Sequence, residues 1–181
     1  KSMDARGWLV GVLGAGDEWL PIYRESGMRT LYIGDEAVVH CPSFQLAGRR
    51  FKSLRQAVQR VAKRGHTVEI YDPREVPAEL RHQIAELVIK GRIGDCERGF
   101  SMTLGRLFDP GDVGLLLAVC FDPDGEPVAC CQFVPTQGDY CLDLMRRDSA
   151  ARHGVVDLIL VRVIEALTDA GVENLGLNFS A

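Results

Sequence analysis

An α+β fold with a mixed, mostly antiparallel sheet is what this sequence predicts, and three observations predict it. Three short apolar runs, Leu115–Phe121, Val128–Val134 and Tyr140–Met145, follow one another as a meander. Asp122-Pro123-Asp124-Gly125 supplies a strong hairpin turn between the first two. The meander gives way to an apolar helical stretch, Val155–Ala170, and a last strand, Asn174–Phe179, so the chain from Thr67 onward reads β-α-β-β-β-α-β.

Each element has its own local reason. Lys1-Ser2-Met3 reads as a tag remnant, and the stop at Asn178-Phe179-Ser180-Ala181, directly after a strand, leads us to expect a fragment. Trp8–Leu13 is a candidate buried strand. Asp17–Glu25 reads as a short helix with an acidic first turn, ended by Gly27. Thr30–Ile33 and Ala37–His40 are extended and apolar, with Gly34-Asp35-Glu36 as a turn between them. Gly48 and Gly65 bracket a helix in which Leu54, Val58 and Val61 recur at four and three residues, giving one apolar stripe. Thr67–Tyr71 is a strand. Pro77 stands at the first turn of a helix over Ala78–Lys90, and Gly171 caps the helix that starts at Val155. The antiparallel meander followed by helix and strand suggests an acyltransferase-like arrangement.

Composition narrows the function classes. The chain has 181 residues, 46% hydrophobic and 25% charged, the mix of a globular protein with a real core. A net charge of −4 excludes a protein coated in positive charge but not a local basic patch. The longest apolar runs, Gly114–Phe121 and Val155–Val161, fall short of the ~20 residues that cross a bilayer, and no signal peptide opens the chain. The six cysteines, Cys41, Cys96, Cys120, Cys130, Cys131 and Cys141, show no C-x-x-C spacing and lie in or beside apolar runs, as reduced buried thiols do. With four scattered histidines there is no metal signature.

The strongest local signal is basic. Arg49, Arg50, Lys52, Arg55, Arg60, Lys63 and Arg64 put seven cations into sixteen residues with no acid among them. A solvated face normally mixes signs. This one suits a polyanion, either the backbone of a folded RNA or anionic lipid headgroups; ion pairing with acids elsewhere in the chain is the alternative. Phe51 alone interleaves, which argues against a single-strand stacking platform.

Candidate chemistry is carried by acids. Asp143 stands inside an otherwise apolar strand, where a charge is rarely buried without a partner, and Arg146 stands where that strand ends. Strict alternation puts the two on opposite faces, so a shared site requires a bulge or turn near Met145; an aspartate on a solvent-facing edge is the alternative. Asp157 lies in the first turn of the Val155 helix, where the dipole favours an anion and is by itself a sufficient account. Asp35 and Glu36 pattern as an exposed acidic turn. No phosphate-binding G-x-x-x-x-G-K-[ST] or G-x-G-x-x-G loop is present, nor a G-x-S-x-G elbow or a Cys–His nucleophile pair.

Six motifs nevertheless occur in a telling order: Tyr32-Ile33-Gly34-Asp35-Glu36-Ala37, Phe44-x-Leu46-x-Gly48, the basic helix with Leu54-Arg55, Gly99-Phe100-Ser101-Met102, Asp143-Leu144-Met145-Arg146, and Gly154-Val155-Val156-Asp157. The series resembles the catalytic region of the bacterial phosphatidylglycerol lysyltransferases, or aminoacyl-phosphatidylglycerol synthases. Glu97–Leu107 and Leu175–Phe179 are similar to actinobacterial members, including those fused to a lysyl-tRNA synthetase. The resemblance implies two acyltransferase-like (GNAT-type) lobes joined by a basic helix, here a remainder of the first lobe over 1–48, the helix over 49–65 and the second lobe over 66–181. It implies transfer of an amino acid, lysine first, from aminoacyl-tRNA to phosphatidylglycerol, without a cofactor. The reaction is expected at the cytosolic face of the bacterial membrane, with transmembrane segments outside this chain. A lysyl-tRNA synthetase domain is an implied partner, and lower attraction of cationic antimicrobial peptides an implied consequence.

By the same resemblance, Asp143, Arg146 and Asp157 match positions tied to activity. Glu36 and the cations Arg49, Arg50, Lys52, Arg55, Arg60, Lys63 and Arg64 fall to substrate binding. Two other readings stay open on the residues alone. A related acyltransferase acting on a peptide or small amine would transfer without phosphatidylglycerol, and a tRNA- or lipid-docking domain would bind without turnover.

Overall fold

The structure, a computed structural model, describes residues 7, 10–91 and 106–180, the last two by backbone alone. Trp8, Leu9, Cys96 and the run from Glu97 to Met102 lie outside the described residues. The chain divides after Gly34. In the first unit a 3-10 turn, Asp17–Trp19, runs into α1 (Leu20–Glu25), with Gly27 at φ +81° just beyond it. Val10–Leu13 and Thr30–Ile33, expected as strands, form none. An apolar run becomes a strand only where a neighbour offers a ladder, and Leu31 and Tyr32 stay exposed instead.

The second unit holds β1 (Asp35–His40), α2 (Lys52–Ala62), β2 (Thr67–Tyr71), α3 (Ala78–Lys90), β3 (Leu116–Phe121), β4 (Pro127–Pro135), β5 (Tyr140–Arg147), α4 (Val155–Asp169) and β6 (Asn174–Ser180). The strands form one sheet in the order β1-β6-β5-β4-β3-β2, antiparallel throughout except for the parallel β5–β6 pair. This is the expected α+β architecture. Asp35 and Glu36 open β1 rather than forming a turn, because β6 supplies ladder partners from Asp35↔Ser180 to His40↔Asn174. The sequence boundaries at 48 and 65 both fall inside this unit, where Val58 and Val61 of α2 join the core beside α4.

Alternation along β3 and β4 sorts the core into two layers. Ala118, Cys120, Cys131 and Phe133 meet α2 and α4 on one face. Leu117, Val119 and Cys130 meet Ile84 and Leu87 of α3 on the other. The described cysteines are free thiols, all buried except the half-buried Cys141. At the start of α4, Gly154 adopts φ +103° and comes so close to α2 that a Cβ would lie 3.0 Å from Val61 Cγ2 and 3.2 Å from the Ala57 carbonyl oxygen. No helix among the described residues is long and apolar enough to cross a membrane.

Candidate active site on the fifth strand

Strand β5 is irregular at the acid the sequence singles out. Its pairing with β4 runs Cys130↔Arg146, Cys131↔Met145 and Gln132↔Leu144, then slips to Phe133↔Leu142, so Asp143 is the extra residue of a bulge. The slip reverses the strand's alternation. Leu142 packs in the α2/α4 layer, whereas Leu144 packs in the α3 layer. Arg146, two residues on and opposite Cys130, shares the α3 face. The bulge that a shared Asp143–Arg146 site requires is therefore present, at Asp143 itself rather than near Met145.

The carboxylate of Asp143 is held from below. Only 5% exposed, it accepts a hydrogen bond at Oδ2 from Gln132 Nε2 at 2.8 Å, and the same amide nitrogen donates to the Arg106 carbonyl oxygen at 2.9 Å. Gln132 is fully buried, and committing its amide hydrogens this way fixes the direction of the carboxylate. Arg106 forks onto Asp112, and its guanidinium also feels the Asp143 charge. Gln132 escaped the sequence reading. Its one signal was an amide in the apolar run Val128–Val134, at a position whose neighbours face a core.

Beside this acid the sheet opens. β5 and β6 pair at Tyr140↔Leu175 and Cys141↔Gly176 and then part. Asn178, at φ +69°, turns its side chain into the gap. Its Nδ2 donates to the Leu142 carbonyl, an acceptor that a continued ladder would have bonded through backbone, and its Oδ1 faces Cys141 Sγ. Glu36 lies across Gly176, where a Cβ would stand 2.6 Å from its Oε1. Burial, then Glu36, then Asp143 raise the Cys141 thiol above its ordinary pKa, so both carboxylates lie near it. A thiol kept protonated is a poor nucleophile, and Cys141 serves here as packing between two acids.

Asn178 gives a separable test. Asn178→Ala is expected to cost about 2 kcal/mol, from a lost hydrogen bond and an alanine forced to positive φ. Asn178→Gly removes only the hydrogen bond and is expected to cost about 1 kcal/mol. Urea midpoints of the two variants check the order, and an alanine variant as stable as the glycine one would remove the backbone argument.

The remaining sequence candidates lie elsewhere. Asp157 sits in the first turn of α4, which covers the opposite face of the sheet. Of the basic residues, Arg49, Arg50, Lys52, Arg60, Lys63 and Arg64 are exposed, and none is in an ion pair among the described residues. Arg55 differs: its Nη1 donates to the Leu46 and Gly48 carbonyls at 2.7 and 3.2 Å, which ties down the loop entering α2. No metal-holding cluster occurs among the described residues.

Known proteins similar to this chain in sequence and those similar in fold are consistent with one another. Residues 1–181 match the family described as Phosphatidylglycerol lysyltransferase, C-terminal. The lysylphosphatidylglycerol biosynthesis bifunctional protein LysX of Mycolicibacterium vanbaalenii is 39% identical over 181 residues, covering 99% of this chain and 16% of the relative. LysX of Mycobacterium tuberculosis H37Rv is 36% identical over 176 residues, covering 96% of this chain and 15% of the relative. The chain thus spans about one sixth of the length of these relatives. Among solved structures, L-PGS from Bacillus licheniformis superposes with a TM-score of 0.86 at 23% identity, covering 99% of this chain and 57% of that one. A GCN5-related N-acetyltransferase from Kribbella flavida superposes at 0.52 with 12% identity, covering 89% and 53%, a likeness of fold. On the full-length family match and the identity to LysX, the chain belongs to the phosphatidylglycerol lysyltransferase C-terminal family.

Proposed function

We propose that the protein carrying this chain transfers lysine from lysyl-tRNA to phosphatidylglycerol. The observation that carries the reading is the buried Asp143, displaced by a bulge onto the face of Arg146 and oriented by Gln132, in a member of this family. An aminoacyl ester is already activated, so the enzyme needs no covalent nucleophile. A glycerol hydroxyl of the lipid attacks the ester carbonyl while Asp143 accepts its proton. The new lipid ester forms, the bond to the tRNA ribose breaks, and the ribose oxygen takes up a proton as it leaves. Arg146 supports the developing oxyanion or the lipid phosphate. Glu36, near the same opening, suits the lysyl ammonium. Asp157, in the first turn of α4, is the other carboxylate for the role of base or for gripping the lysyl ammonium; its place at the helix start would hold it as an anion.

The donor is read from α2. Its exposed cations, unpaired with acids among the described residues, suit RNA phosphates, and neutralising them should flatten the salt dependence of binding. An Arg60→Gln/Lys63→Gln variant is expected to lower the log–log salt slope of lysyl-tRNA binding by about 0.7–0.9 for each phosphate that it leaves without a cation. Arg55 is left out of this test because it supports the loop entering α2. The acceptor places the reaction at the cytosolic face of the membrane, and a lysyl-tRNA synthetase domain, as the bifunctional name of LysX suggests for that protein, would supply the donor. Lysine on the lipid offsets its negative charge and weakens the pull on cationic antimicrobial peptides.

The deciding experiment mixes labelled lysyl-tRNA, phosphatidylglycerol vesicles and the full-length protein, then extracts the lipid. Label in the lipid phase that vanishes after ribonuclease treatment is the expected result. An unlabelled lipid phase beside an active relative would overturn the assignment.

A further inference from the structure

The α2 cations do not stop where the helix stops. Beyond Ala62 the chain turns through Lys63, Arg64 and Gly65 into β2, and a groove of about 460 Å³ opens there, lined by Arg64, His66, Asp122, Pro123, Ala151 and Arg152 among others. The walls come from parts far apart in sequence. Gly65, at φ +86°, rests on the β3–β4 hairpin, where a Cβ would sit 3.5 Å from Pro123 Cβ. The loop before α4 is braced by Asp148, whose Oδ1 accepts the Ala150 N–H at 2.7 Å.

The charges in this groove are asymmetric. Arg64 and Arg152 are exposed and in no ion pair among the described residues. Asp122 is the one acid on the lining, and its Oδ1 is turned to the hairpin backbone, accepting from Asp124 and Glu126 N–H groups at 2.9 and 3.0 Å. His66, half-buried on the same lining, has its Nδ1 enclosed without a hydrogen-bond partner. Two exposed guanidinium groups on one concave surface form a receptor for a phosphate.

We infer that this groove binds a phosphodiester of the RNA backbone and extends the track of charge on α2 onto the loop before α4. Two observations favour RNA over a lipid headgroup. Arg64 lines the groove, and Arg60 and Lys63, four and one residues before it, fall on the same side of the helix end, cations suited to successive phosphates. Its apolar lining is limited to small or recessed groups such as Pro123, Val128 and Ala151, and it offers no large side chain to enter a bilayer. The inference rests on the reading of α2 as the RNA-binding helix.

The test is fluorescence anisotropy of labelled lysyl-tRNA with the full-length protein between about 50 and 200 mM salt, beside flotation with phosphatidylglycerol vesicles. Arg152→Gln is expected to weaken tRNA binding by about three- to tenfold at about 0.1 M salt and to lower the log–log slope by about 1. Thermal melts confirm that the exposed arginine's replacement leaves the fold intact, and Arg64→Gln provides an independent second variant. Unchanged slopes in both arginine variants, with a reduced slope in Arg60→Gln/Lys63→Gln, would overturn the groove and leave the α2 reading standing. Unchanged slopes in all of them would remove both. Loss of vesicle flotation with tRNA binding intact would assign the groove to lipid phosphate and likewise overturn the inference.

Discussion

Replacing Asp143 by asparagine is expected to reduce lysine transfer to phosphatidylglycerol by about 10²–10⁴-fold, the range set by removal of a general base. The substitution preserves shape and keeps an oxygen that can accept the hydrogen bond from Gln132, so the bulge and the packing around it should survive. The loss should therefore fall on kcat while KM for tRNA stays close to its original value, since the basic helix lies on the opposite face of the sheet. A rise in KM at unchanged kcat would recast Asp143 as a substrate anchor. Normal turnover would remove it from the site altogether. Gln132→Leu provides the companion measurement, because it leaves the carboxylate in place without its support; a positioning role predicts a smaller fall in kcat than Asp143→Asn gives.

The second large effect is structural. Gly154→Ala is expected to destabilise the protein by about 2–3 kcal/mol, because alanine at φ +103° is strained and its methyl group would press on α2. For a chain of this length that corresponds to a fall in Tm of about 4–12 °C. The neighbouring atoms decide the sign: the Ala57 carbonyl is backbone and cannot move aside without shifting the helix. A displaced α2 should also bind tRNA less tightly, so melting and anisotropy are expected to change together. A variant that melts like the parent would mean that α2 yields at little cost.

Much of the fold was legible where period and punctuation agree. Thr67–Tyr71 and Ala78–Lys90 appear with the predicted bounds, and the meander and the long helix shift by a residue or two at their ends. Legibility failed where an element depends on a partner far along the chain. Asp35 and Glu36 look like a turn until β6 is known to lie beside them, and Thr30–Ile33 looks like a strand because nothing local reveals that no ladder is available. The site divides similarly. Asp143 was visible as a charge in an apolar run, and the need for a bulge followed from counting to Arg146. The bulge's position was hidden because a slip in pairing belongs to two strands at once. Gln132 and Asn178 were hidden for a related reason: each acts through a backbone or side chain on a different strand.

The place of β6 between β1 and β5 sets when the candidate site can form during the chain's own synthesis. A ribosome makes the chain from the N-terminus at about 5–20 residues per second, and β1 through β5 leave it before the strand that joins β1 to the rest of the sheet exists. Until Asn174–Ser180 emerges, β1 has no neighbour and β5 has one open edge, the exposed condition that invites pairing with other chains. The same late strand carries Gly176 and Asn178 at the opening beside Asp143. Sheet closure and completion of the opening beside Asp143 are therefore a single event, and a nascent chain displays its basic helix well before that opening has formed.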